Sequence, residues 1–166
     1  MPNLFIIDGY NVIKLDPSGK LSAGTLEIQR ERLIKLLFEN SPCGKNKVAV
    51  VFDGPKDNSN WEFPDSEFKT LGIEIYFSRD GKSADDYIVK LVNENNNPSN
   101  IAVITNDKGI KNRLAGTGCA VCSADDFINR LFHKAEVKSS VTQEVFSTKE
   151  TQEISAELSD LWLKKQ

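Results

Sequence analysis

Five short apolar runs, each closed by a polar residue, set the strongest limit on what this chain can fold into: Leu4–Ile7, Val48–Phe52, Ile73–Phe77, Ile101–Thr105 and Cys119–Cys122. Runs this short, without polar alternation, suit strands buried on both faces, as in a parallel sheet. Helical patterns lie between several of them. Leu26 to Phe38 places Leu33 and Leu37 on one face, Ile88, Leu91 and Val92 follow i, i+3, i+4 spacing, and Phe127, Ile128, Leu131 and Phe132 repeat it. Parallel strands need crossover connections, and right-handed crossovers lay helices over both faces. The expectation is an α/β sandwich around a mostly parallel central sheet.

A length of 166 residues suits one domain with a tail. With 39% hydrophobic and 27% charged residues, composition suggests neither disorder nor a membrane class. The opening apolar run stops at Asp8, too short for a leader's core, and no later stretch is long enough to span a bilayer. Three cysteines, an odd number, do not make a disulfide framework and fit a reducing compartment. A cytoplasmic location without a membrane partner is therefore expected. The division expected is a domain over residues 1–135 and a tail over 136–166. Within the tail, Ser147-Thr148-Lys149-Glu150 is a capping-box pattern, followed by Ile154, Leu158, Leu161 and Trp162 on one helical face. That helix either packs on the core or meets a partner. The stretch Asp53–Phe68 has no sustained period and reads as a long loop, a kind that is often functional.

Ligands bind beyond the carboxyl ends of the strands in an open parallel sheet. The residues found there are carboxylates and amides: Asp8-Gly9-Tyr10-Asn11, Asp53-Gly54 and Asn106-Asp107, while the loop after the third run leads into Ser83-Ala84-Asp85-Asp86. Carboxylates brought together repel unless a cation neutralises them, and oxygen ligands without His or Cys suit Mg²⁺ or Mn²⁺. Each piece also has a plain structural reading. Asp-Gly after a strand is a common turn, Ser83 and Asp86 form a capping box, and Asn106-Asp107 can cap the next helix. Four acidic signals at equivalent strand ends favour a shared metal site, with Asp8, Asp53, Asp85 and Asp107 as ligands. Ser-Ala-Asp-Asp recurs at Ser123–Asp126, where it is expected to act only as a helix start.

Other chemistries fit less well. No G-x-G-x-x-G follows the first strand, Tyr10 stands where a haloacid-dehalogenase-type phosphatase would carry a second aspartate, and the single histidine, His133, offers no nucleophile-and-base pair.

The segments Phe5–Ile13, with Asp8-Gly9-Tyr10-Asn11, Val50–Gly54, Ser83–Ile88 and Val103–Asp107 together resemble the YacP-like branch of the NYN ribonuclease domains, over roughly residues 3–134. The resemblance implies a PIN-like three-layer fold and Mg²⁺-dependent endonucleolytic cleavage of RNA. It carries catalytic roles onto Asp8, Asp85 and Asp107, with Asn11 and Asp53 supporting the site; Asp86 and Asn106, next to these acids in sequence, are further candidates for support. Lys82 and Asn106 depart from the family pattern, the first near the place of an extra acid, the second at the place of a small hydroxyl residue.

RNA is the expected partner, free or presented by a ribosome or another RNA–protein complex. Arg79, Lys82, Lys108 and Lys111 flank the acidic ends and are candidates to position its backbone, while Tyr10 and Trp61 are candidates to stack on unpaired bases. Net charge is -3. Residues 1–134, however, carry 17 basic and 18 acidic residues, so removing the four candidate ligands leaves 17 against 14. The competing expectation is an RNA- or protein-binding module of the same fold that keeps the acidic pocket without turning over substrate.

Overall fold

Apolar strands must pair their backbone amides away from water, and here one sheet takes all five. The computed structural model describes residues 1–54, 72–79 and 81–138. In it β1 (Leu4–Asp8), β2 (Lys47–Phe52), β3 (Ile73–Phe77), β4 (Ile101–Ile104) and β5 (Ala120–Cys122) stand in the order β3-β2-β1-β4-β5. Every neighbouring pair is parallel, and Ile7 lies level with both Val50 and Ile104. The sheet expected to be mostly parallel is wholly so among the described residues.

Helix α1 (Gly9–Lys14) follows β1 with no intervening loop. Its one apolar pair, Val12 and Ile13, is too short a pattern to announce a helix in sequence. Helix α2 (Leu26–Asn40) starts where the Thr25 hydroxyl accepts from the Ile28 amide at 3.4 Å, and stops at Ser41, whose φ of 42° is left-handed. Helices α3 (Ala84–Asn93) and α4 (Lys108–Leu114) cover later crossovers, and α5 occupies residues 124–138. The compact unit Met1–Leu131 contains the whole sheet. A second unit, Phe132–Gln166, is described only at residues 132–138, which are helical. The expected helix at 147–166 and most of the expected loop, with Trp61, lie outside the described residues.

The pleat sends alternate side chains to opposite faces. Ile6, Ala49, Val51 and Val103 join Ile88 and Val92 of α3 and Ile110 and Leu114 of α4 in one cluster. Ile7, Val50, Phe52 and Ile104 point the other way and are equally buried, on the side where Phe52 meets Tyr10 of α1. Helices thus sit on both faces, giving three layers. Burial of each such Ile, Leu or Val contributes about 2 kcal/mol, so a one-residue slip in register would expose a whole row.

Winding runs from β1 outward to β3 and then returns past β1 to β4. The reversal between β1 and β4 is the switch point of the sheet, where the loops diverge and leave a crevice. No helix among the described residues is long and apolar enough to cross a membrane.

Candidate active site

Asp8 closes β1 at this switch point and is 7% exposed. Glycine at position 9 avoids a clash: a Cβ there would stand 2.2 Å from Cε1 of Phe52, which would have to shift. Gly54 has the same cause, since its Cβ would stand 2.1 Å from the Ser78 carbonyl oxygen. Neither Asp-Gly pair is a left-handed turn; both glycines admit a close neighbour and let the preceding acid sit at the strand end.

The buried Thr105, one residue past β4, donates from Oγ1 to Asp8 Oδ2 at 3.2 Å, and the same oxygen accepts from the Asp107 amide at 3.1 Å. One hydroxyl thereby ties the first acid to the last. Asp107 then caps α4, its Oδ1 accepting from the Ile110 amide at 2.9 Å. Asp53, at the end of β2, accepts from the Ala84 amide at 2.7 Å, which brings the start of α3, and with it Asp85, to the strand ends. The capping box around Ser83 and Asp86 forms as expected.

Electrostatics shows which acids converge. Burial, then Asp85 and Asp53, push Asp8 up to about 6, against the pull of the Thr105 hydroxyl. Burial, then Asp107 and Asp53, raise Asp85 as well, only partly offset by Arg113. Asp8, Asp53, Asp85 and Asp107 are therefore linked, Asp85 and Asp53 acting on Asp8, and Asp107 and Asp53 acting on Asp85. Asp86 differs: the Ser83 amide and the Arg113 guanidinium, 2.9 Å away, hold it below the usual carboxylate range.

Asn11 bridges to the other side of the crevice, its Oδ1 accepting from the Asn106 amide at 2.9 Å. Of the expected cap pair only Asp107 caps α4. The Asn106 side chain instead accepts from the Ala124 amide at 2.9 Å and donates to Asp125. Tyr10 is half-buried, edge-on to Phe52 at 5.1 Å, and its hydroxyl accepts from the buried Arg30 at 2.8 Å. Arg79 and Lys82 after β3, and Lys108 and Lys111 on α4, are all exposed. His133 is exposed too.

Sequence reasoning missed Thr105, Arg113 and Arg30, and read Asp125 only as part of a helix start. A threonine closing an otherwise aliphatic run was the one available signal; the others act across the fold and leave none. The oxygen-only donor set and its mutual repulsion fit a hard cation such as Mg²⁺. Among the described residues, no three His, Cys, Asp or Glu side chains close into a group that would hold a metal unaided.

A wholly parallel, three-layer α/β domain with acids at the switch point defines the class. The chain belongs to the YacP-like NYN domain family, whose family model matches residues 5–165. NYN domains are generally PIN-like nuclease domains. The chain is similar to the uncharacterized protein YacP of Bacillus subtilis strain 168, with 28% identity over 137 residues, covering 78% of this chain and 75% of that protein. It is also similar to the crystal structure of Rae1 (YacP) from Bacillus subtilis, at TM-score 0.65 and 27% identity over 98% of this chain and 91% of that one. A point mutant of the same Bacillus subtilis protein gives TM-score 0.66 and 26% identity over 89% and 85%.

Proposed function

We propose that this protein is a Mg²⁺- or Mn²⁺-dependent endoribonuclease that hydrolyses RNA phosphodiester bonds at the β1–β4 crevice. The observation that carries the reading is the convergence of Asp8, Asp53, Asp85 and Asp107 at the strand ends, where Asp85 and Asp53 add to the burial that pushes Asp8 up to about 6. Acids that only terminated separate strands would not be gathered so that Asp85 and Asp53 raise Asp8, and Asp107 and Asp53 raise Asp85. Membership in a family of nuclease domains supports the same reading.

Asp8, Asp85 and Asp107 would hold the metal, with Asp53 fixing Asp85 through the Ala84 amide. Mg²⁺ keeps several of its own waters and needs only one or two carboxylates, so ligation here is partly through water. When bound, the metal lowers the pKa of a water and stabilises charge on the phosphate. Thr105 orients the Asp8 carboxylate, and Asn11 holds the loop that carries Asp107. Arg79, Lys82, Lys108 and Lys111 would steady the RNA backbone through phosphate contacts that read no sequence. The nuclease unit ends near residue 135, the location is cytoplasmic, and the RNA is met free or on a ribosome or similar complex.

Asp53 and Asp107 each give a carboxylate oxygen to a helix-start amide, which favours one rival, a module that binds RNA without cutting it. Incubation of pure protein with labelled single-stranded RNA and Mg²⁺ or Mn²⁺, with and without EDTA, separates the two. Metal-dependent fragments that vanish in Asp85→Asn support the nuclease; RNA retained intact by the wild type under all metals establishes the binder.

A further inference from the structure

We propose that Asp125, at the start of α5, is a positioning residue for the acidic site, acting through Asn106 and Asn11. The inference rests on the nuclease reading and extends it to a residue outside the four acids. A carboxamide has two unlike ends, an NH₂ that needs an acceptor and an oxygen that needs a donor. Asn106 finds both on one turn of α5: Nδ2 donates to Asp125 Oδ2, and Oδ1 accepts from the Ala124 amide at 2.9 Å. That pair of bonds fixes the amide in one orientation.

With the side chain clamped, the Asn106 backbone amide is aimed at Asn11 Oδ1, 2.9 Å away. Asn11 stands three residues after Asp8, and Asn106 immediately precedes Asp107. The chain of contacts from Asp125 through Asn106 to Asn11 therefore spans the crevice and sets the separation of the loops that carry Asp8 and Asp107. Asp8 and Asp107 also share Thr105, on the sheet side of the same gap. The two links together fix both the depth and the width of the crevice. Asp126, on the same first turn, donates its backbone amide to Ser123 Oγ at 3.4 Å and has no bond to Asn106 among the described residues. The two adjacent acids are equivalent to the helix dipole and differ in what they hold.

The test compares Asp125→Ala, Asp126→Ala, Asn106→Asp and the exchange Asn106→Asp with Asp125→Asn. The exchange keeps the contact between the two side chains with donor and acceptor reversed, since the amide introduced on α5 would donate to the carboxylate introduced before Asp107. Readouts are kcat and KM on a labelled single-stranded RNA oligonucleotide, and the Mg²⁺ midpoint for shifts of the Asn11 and Asp107 backbone amide signals in NMR spectra.

Loss of an outer support of a metal site typically costs 10–100-fold. Asp125→Ala is expected to lower kcat roughly tenfold or more, and to raise the Mg²⁺ midpoint, with KM little changed. Asp126→Ala keeps wild-type kcat, and the exchange recovers most of what Asn106→Asp loses. A folded Asp125→Ala with wild-type kcat and midpoint overturns the inference and leaves the nuclease reading standing, as does an exchange no better than Asn106→Asp. A wild type that neither cleaves RNA nor responds to Mg²⁺ overturns the nuclease reading, and this inference with it.

Discussion

Replacing Asp8 by Asn should stabilise the metal-free protein while abolishing cleavage. Asp8 is 7% exposed, and burial together with Asp85 and Asp53 takes its carboxyl from 3.8 to about 6. In the unfolded chain the same group titrates near its ordinary value, about 3.9. Between about pH 4 and pH 6 the folded state therefore holds a proton that the unfolded state has released, so stability falls as pH rises through that window. A rise of roughly two pH units costs about 3 kcal/mol at neutral pH. Asn removes the charge but keeps an oxygen for the Thr105 hydroxyl, 3.2 Å away. The weaker bond to a neutral acceptor gives back about 1 kcal/mol, leaving a net gain of about 1–2 kcal/mol. For a chain of this size that is a melting midpoint roughly 2–8 °C higher. Thermal unfolding followed by circular dichroism in EDTA measures it. The gap should be largest near pH 7.5 and close to nothing near pH 3, where the carboxyl is protonated in the folded and the unfolded chain alike. Adding Mg²⁺ should raise the wild type and not the variant, by linkage of binding to folding. An Asp8→Asn protein that melts at or below the wild type near pH 7.5 in EDTA refutes the costly burial of an Asp8 carboxylate beside Asp85 and Asp53.

At sub-saturating Mg²⁺, cleavage should rise with pH through an apparent pKa near 6, because ligation needs the Asp8 carboxylate, and more Mg²⁺ should move that limb to lower pH; a limb that metal leaves in place argues that Asp8 does not ligate. Thr105→Val removes the donor to Asp8 and the acceptor of the Asp107 amide, and should cost about 1–3 kcal/mol in urea unfolding while shifting the same limb upward. Gly9→Ala and Gly54→Ala should each destabilise by about 1–3 kcal/mol, Gly54 more, because the Phe52 ring can move aside and the Ser78 carbonyl is backbone; equal urea midpoints for wild type and both variants would show the glycines to be ordinary turn residues.

Much of the fold was legible along the chain, because burial on both faces leaves unbroken apolar runs and helices leave a 3.6-residue period. Those two local signals located five strands and the helices over residues 26–40, 84–93 and 124–138. They missed α1, where Gly9–Lys14 is too short to show a period. The acids at the strand ends were legible for the same reason: a parallel sheet puts every carboxyl end on one edge, so Asp8, Asp53 and Asp107 had to share it whatever the strand order. Strand order itself was not legible, since β1 could have paired with any neighbour of like pattern. Only the packed sheet places β4 beside β1 and so joins Asp8 to Thr105. The glycines of both Asp-Gly pairs looked like turns because sequence cannot show that a ring or a carbonyl presses on a missing Cβ. The two Ser-Ala-Asp-Asp segments carry the same local signal, and both open helices. Tertiary structure alone separates them, bringing one to Asp53 and the other to Asn106, because hydrogen bonds across 31 and 18 residues leave no local pattern.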